Sequence, residues 1–370
     1  MMCYLIFSLL AVDAGAVTYK SEGVFEPLLR SDVAVAKDGH VFILDFKAAT
    51  VSHYDANGEL LNTIGKKGNG PGEFNFPGNV FIWDGYVYLE DRANSTVSRF
   101  ERNGKYVDRV RIPARGMSAV KVKDGWVTAK LWGMDPSEEI TVTWMDEKME
   151  NSQEIASYKK PEGAGGAMMV RQTGSGRPKV PYNPVRDNAD ILADRDGRYV
   201  YVYIPGNFDV KVIDSQTRKV VNTITTEQEP ILFNEEYGNE QLAEFQEGSK
   251  KRGMPIDFVP DFPDFFPYAR ELFISAENNL GVRRWTSRPD EVEKGAIFDH
   301  QGKPIKVGYS VASARRVLLI QDGFAYINAF DAEKEAAFLI KAPVAKIDEV
   351  VATNPIDYSL EEPRMMIQRH

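Results

Sequence analysis

The chain has 370 residues, of which 43% are hydrophobic, and a formal net charge of -9. That hydrophobic share supplies a full core and excludes global disorder. The acidic balance argues against a nucleic-acid partner, which would want a basic face to displace counterions.

The first residues, "MMCYLIFSLLAVDAGA", hold an apolar run from Cys3 to Val12, followed by the small-x-small site Ala14-Gly15-Ala16. We read residues 1–16 as a secretory signal peptide, although it lacks a basic n-region. The expected location is periplasmic or extracellular. Cys3 is the sole cysteine, so no intrachain disulfide can form. No later run reaches the roughly 18 apolar residues of a membrane span, so the mature chain is expected to carry none.

Residues 17–370 read as one domain built from repeats. "VFILDFKAATVSHYDANGELL" (41–61) aligns with "VYLEDRANSTVSRFERNGKYV" (87–107), 46 positions on. Asp45 falls on Asp91 and Asn57-Gly58 on Asn103-Gly104. Each copy reads strand, polar turn, strand, Asn-Gly turn, strand, and Asn-Gly between alternating apolar runs is a strong hairpin signal. A first turn recurs at Asp38-Gly39, Asp84-Gly85, Asp124-Gly125, Asp196-Gly197 and Asp322-Gly323, with "ENN" (277–279) in the same place. Counterparts of the second turn are "YDANG", "FERNG", "WMDEK", "IDSQT", "FDHQG" and "FDAEK". Six units of this period predict an all-β fold, a six-bladed β-propeller of four-stranded antiparallel blades. The alternatives are a β-sandwich or an open solenoid, and six similar antiparallel units are more than a sandwich requires. Either "AVTYKSEGVFEPLL" near the N-terminus or the tail 354–370 would supply the strand that closes the last blade.

"GKKGNGPGEF" (65–74) has neither the P-loop nor the dinucleotide-loop spacing, and strands follow it. It is expected to turn a corner between units, with Pro71-Gly72 in a type II turn and Phe74 and Phe76 packed between blades. This connector, then "DG", then a strand ending in Asp, resembles the NHL-repeat group of six-bladed propellers. The likeness is clear over Asp38 to Val110 and weaker elsewhere. The chain thus looks like a member of the bacterial NHL-like "6-bladed beta-propeller" proteins, which implies export and leaves the activity open.

Two stretches interrupt the pattern. Residues 159–186 are rich in Gly and Pro. Residues 229–268, between units four and five, predict a helix over 234–252 capped by Asn234, with a Tyr237, Leu242 and Phe245 stripe, and then "DFVPDFPDFFPYAR". Long insertions on a rigid scaffold are where binding sites tend to lie. Phe258, Phe262 and Phe265 read as seam-sealing aromatics, while the hydroxyl of Tyr268 gives it a polar end.

Candidate ligand-binding residues are Tyr268, Arg283, Arg284 and Trp285, with Arg115 and Trp132 at comparable places in the third unit. Arginine beside tryptophan suits an anionic or sugar-like ligand. No G-x-S-x-G and no cysteine nucleophile is present. His40, His53 and His300 fall at different depths of their units, which does not support the tri-histidine zinc site of the peptide amidating lyases. Some six-bladed relatives hold calcium and hydrolyse lactones. Asn79, Asp187 and Asn188, with Asp32, are the oxygen ligands such a site would draw on, and no spacing among them is diagnostic. Asp45 and Asp91 repeat, which marks them as turn-binding rather than catalytic. The expectation is a non-catalytic binding propeller of the cell envelope that presents its top face and insertions to a protein, peptide or glycan, with no cofactor. The rival is a calcium-dependent lactonase-like hydrolase or lyase.

Overall fold

The computed structural model describes residues 16–20, 32–113, 117–130, 139–159, 179–185, 189–206, 208–226, 229–251, 257–275, 277–285, 293–311, 317–331 and 336–346. Strand β1 is Val17–Lys20. The first sheet holds β2 (Val33–Val35), β3 (Val41–Asp45), β4 (Thr50–Tyr54) and β5 (Leu60–Ile64). A parallel pair, β6 (Lys66–Lys67) and β7 (Glu73–Phe74), leads to the second sheet: β8 (Pro77–Trp83), β9 (Tyr86–Asp91), β10 (Thr96–Phe100) and β11 (Tyr106–Arg111). The third holds β12 (Met117–Val122), β13 (Gly125–Lys130), β14 (Ile140–Met145) and β15 (Ser152–Tyr158). After β16 (Lys179–Tyr182) comes the fourth: β17 (Asp190–Ala193), β18 (Tyr199–Ile204), β19 (Asp209–Asp214) and β20 (Lys219–Thr225). Helix α1 (Glu235–Lys251) and β21 (Asp257–Pro260) precede the fifth: β22 (Glu271–Ile274), β23 (Leu280–Arg283), β24 (Glu293–Phe298) and β25 (Pro304–Val311). The sixth is β26 (Val317–Gln321), β27 (Phe324–Asp331) and β28 (Ala336–Pro343), completed by β1. Six four-stranded antiparallel sheets make this an all-β chain with the six-bladed β-propeller fold, as the repeats predict.

Two compact units carry the sheets, one of residues up to Arg109 with those from Ala312 to Glu361, the other built on Val110–Val311. In the first, Phe42, Leu44, Val51, Ile64, Phe74, Val80, Val87, Leu89 and Phe100 form a buried layer between the first and second sheets. In the second, Val127, Val142, Ile191, Val200 and Val202 do the same for the third and fourth. Along β3, β13 and β18 nearly every residue is buried rather than every second one, so these strands are covered on both faces.

The chain end that closes the sixth sheet is the N-terminal one: Val17 pairs with Lys341 and Lys20 with Phe338, antiparallel. The rival tail, 354–370, lies outside the described residues. This closure corrects one turn. "FDAEK" was expected as a second turn, between third and fourth strands. Instead it joins β27 to β28, the second and third strands of its sheet, because β1 takes the fourth place.

The repeated aspartates bind turns. Asp45 Oδ1 accepts the Ala48 N–H at 2.9 Å. Asp91 does more: Oδ1 accepts from the N–H of Phe76, Ala93 and Asn94, and Oδ2 from the N–H of Asn75 at 2.9 Å and the Asn94 side chain at 2.8 Å. It therefore fastens the incoming connector as well as its own turn.

The connector turns a corner. Glu73 N–H donates to the Gly70 carbonyl at 3.1 Å, closing a turn with Pro71 and Gly72 at its centre, and Gly72 has φ 75. Only a residue at ease with positive φ fits the third place of a type II turn. The Glu73 carboxylate accepts the Gly70 N–H at 2.9 Å and pairs with Lys66 at 3.0 Å. It takes the place an anion would need, and the Gly70 hydrogen bond holds its carboxyl below the usual range. Phe74 is fully buried, and Phe76 meets Phe46 edge-on at 4.6 Å.

Candidate binding surface on the insertion

Asn234 caps α1 as expected: its Oδ1 accepts the Tyr237 N–H at 3.2 Å, and its carbonyl accepts the Gly238 N–H at 3.0 Å. Glu235 and Glu236 sit at the positive end of the helix dipole. The buried stripe is Gly238, Leu242, Phe245 and Ser249, a helical spacing. Gly238 takes the place expected for Tyr237. A Cβ there would stand 2.8–2.9 Å from the rings of Phe233 and Phe262, so the glycine lets the helix lie directly on them.

The two interruptions of the repeat meet. Strand β16 from the first pairs in parallel with β21 from the second, Val180 opposite Phe258. Helix α1 packs onto this pair through Leu242 and Phe245, which join Val180 and Phe258 in one buried cluster flanked by Tyr182 and Phe262. The Gln246 amide donates to the Phe258 carbonyl at 2.8 Å. Sequence reasoning missed this pairing.

A second aromatic layer runs from the helix start toward β23. Phe233 touches Phe262 at 5.3 Å and Phe266 at 4.9 Å, and Phe266 stacks on Trp285 at 5.4 Å with planes 27° apart. The Arg270 guanidinium stands 5.0 Å from the Trp285 ring centroid. Above this layer the chain doubles back: Phe233 N–H donates to the Asp264 carbonyl and Phe266 N–H to the Ile231 carbonyl. The residues between, Leu232 and Phe265, face each other and are 70% and 44% exposed. The expected seam-sealing role is corrected: Phe258 is buried against Val180, Leu242 and Phe245 within the insertion, not in the cluster between the fourth and fifth sheets, and Phe265 is exposed.

Of the sequence candidates, Tyr268, Arg284 and Trp285 lie on this surface. Arg284 donates to the Glu229 carbonyl at 3.4 Å. Burial holds its guanidinium below the ordinary value, and nearby Tyr268 works against that shift. Tyr268 borders the buried cluster between the fourth and fifth sheets. Arg283, one residue along the strand, is buried, pairs with Glu271 at 2.9 Å and lies over the Phe273 ring, a strut between β22 and β23. Arg115, Trp132, Asp187 and Asn188 lie outside the described residues.

Asn79 lies on β8 across from Glu90 on β9, and burial pushes the Glu90 carboxyl up from its usual range. Asp32 is fully buried. The histidines need a correction. His40 and His53 were expected at different depths, yet His40 Nδ1 lies 2.9 Å from His53 Nε2. Phe42 is the register partner of His53, so His40, two residues earlier, is its diagonal neighbour on the same face. His53 Nδ1 meets two acceptors, Asn62 Oδ1 at 2.8 Å and the Arg102 carbonyl at 3.0 Å. Those acceptors place the His53 proton on Nδ1, and Nε2 then accepts from His40. His300 instead stacks on Tyr199. Among the described residues no three His, Cys, Asp or Glu side chains gather as a metal site, and no helix is long and apolar enough to cross a membrane.

No protein-family model matches the chain, and no curated protein does. Solved structures do. A Bacteroides fragilis protein described as exported matches at TM-score 0.51 and 12% identity, over 89% of this chain and 94% of that one. A DUF4221 family member from Bacteroides vulgatus matches at 0.51 and 10%, over 89% and 95%. At these identities the likeness is one of fold.

Proposed function

We propose that the chain is an exported, non-catalytic binding propeller, NHL-like in its repeats, whose insertion face takes a protein, peptide or glycan ligand. The observation that carries this reading is the rigid aromatic step ending in Leu232 and Phe265. Apolar side chains held above a packed layer lose little entropy on contact and make good anchors. Tyr268, Arg284 and Trp285 form its polar flank, and Arg283 ties β23, which leads into Arg284 and Trp285, to β22. Arg115 and Trp132 complete the set to probe by substitution. Export is supported by the apolar run before Ala14-Gly15-Ala16 and by the fold shared with a protein described as exported.

A photo-crosslinking residue at Leu232 or Phe265, activated in intact envelopes, tests the proposal. An adduct is expected there that Trp285→Ala weakens and that Leu60, exposed on β5, does not give. The same adducts from Leu60 would sink the reading. Melting in calcium against EDTA tests the hydrolase or lyase rival: millimolar calcium on a micromolar site would add about 4 kcal/mol.

A further inference from the structure

A second recess lies apart from the insertion residues, between strands of the fourth and fifth sheets. Tyr199 on β18, Asp214 on β19, Val221 and Asn222 on β20, and His300 and Gln301 between β24 and β25 line a cleft of about 310 Å³. That volume is at the small end of ligand sites. The Tyr199 and His300 rings stack 4.3 Å apart with planes 10° from parallel, which makes one wall rigid.

The charges of the cleft are already committed. Asp214 pairs with Arg198 at 2.5 Å and accepts the N–H of Gln216 at 3.0 Å and of Thr217 at 2.9 Å. What remains is neutral. The Tyr199 hydroxyl, the Asn222 and Gln301 amides and the His300 imidazole have no hydrogen-bond partner among the described residues. Each can both donate and accept while His300 is neutral. Val221, 51% exposed, adds an apolar patch. An anion would meet no uncommitted cation in the lining, and a cation no uncommitted carboxylate. A sugar ring matches instead: its hydroxyls need donors and acceptors side by side, and its C–H face needs an apolar contact.

We infer that this cleft binds a neutral sugar unit, free or at the end of a glycan. The inference does not depend on the insertion face.

The chain has four histidines, so a His300→Ala variant assigns the His300 imidazole signals by difference. The protein is titrated with methyl glucoside, methyl mannoside, N-acetylglucosamine and a chito-oligosaccharide, up to about 50 mM, well above a millimolar Kd. At least one is expected to shift the His300 signals saturably. A stronger response to the oligosaccharide than to N-acetylglucosamine assigns a glycan end, and an equal one assigns the free sugar. Asn222→Ala and Gln301→Ala should each weaken binding about fivefold, the worth of one neutral hydrogen bond, with melting unchanged. No saturable shift with any of the four sugars, equal affinity in both variants, or a stronger response to inorganic phosphate would overturn the inference. A failed crosslink at Phe265 would leave it standing, as its own failure would leave the insertion reading standing.

Discussion

Asp45 and Asp91 hold the same place in consecutive repeats and are almost equally buried, 3% and 1% exposed. Burial alone predicts equal losses on replacing either by alanine. The hydrogen bonds predict otherwise. Asp45→Ala frees one backbone N–H, that of Ala48, and should cost about 1 kcal/mol. Asp91→Ala removes the acceptor of four backbone N–H groups and one amide. Ala93 is exposed and can turn to water. Asn75 and Phe76 belong to the connector and lose their anchor. The sum is about 3 kcal/mol, since bonds to a charged acceptor are worth more than neutral ones and strained donors recover only part of it. Urea unfolding of the two variants, with slopes compared to confirm that the same surface is exposed, measures the difference. Equal losses, or a larger loss for Asp45→Ala, would refute the claim that Asp91 is a two-sided fastener.

Gly238→Val should push α1 off Phe233 and Phe262, seen as faster amide exchange over 235–251 with protection in the first sheet unchanged; unaltered exchange in the helix would contradict the packing described. Lys121 is buried and donates to the Val122 carbonyl at 2.6 Å, the Gly125 carbonyl at 3.0 Å and Glu147 at 2.8 Å. Lys121→Met should cost about 2 kcal/mol through the two stranded carbonyls, and Glu147→Gln, at the exposed end, under about 1 kcal/mol; thermal melts giving the reverse order would be decisive against it. Burial holds the His53 imidazole below its ordinary value, with the His40 and Arg102 charges adding to that and the hydrogen bonds to Asn62 and Arg102 opposing it. The unfolded chain therefore takes up this proton first as pH falls. Stability from His53 is full above the unfolded value of about 6.5 and is lost as pH drops below it. His53→Gln should flatten that slope in a melting series across pH, and an unchanged slope would assign it to other groups.

The blade count was legible because Asp-Gly and Asx turns recur at fixed places, and a turn residue acts through its own backbone. The placing of "FDAEK" was not. The same acid-led turn serves two different hairpins, and only the pairing of β1 with β28 tells which. The His40–His53 contact was likewise hidden, since strand register is set by the neighbouring strand. The α1 boundaries followed from a cap and a charge gradient. The joining of β16 to β21, on which α1 packs, depends on contact between segments far apart in sequence, and no period announces it.

Strand β1 meets β28 at positions 318 apart, Lys20 against Phe338. The sixth sheet is therefore finished by a strand made long before its other three. During synthesis β1 has no sheet partner until β28 has emerged, and the entropy of closing so long a loop must be met before the pairing rewards it. Until then its edge is open to other chains, which makes β1 a grip for a holding chaperone and a point of exchange between two copies at high concentration.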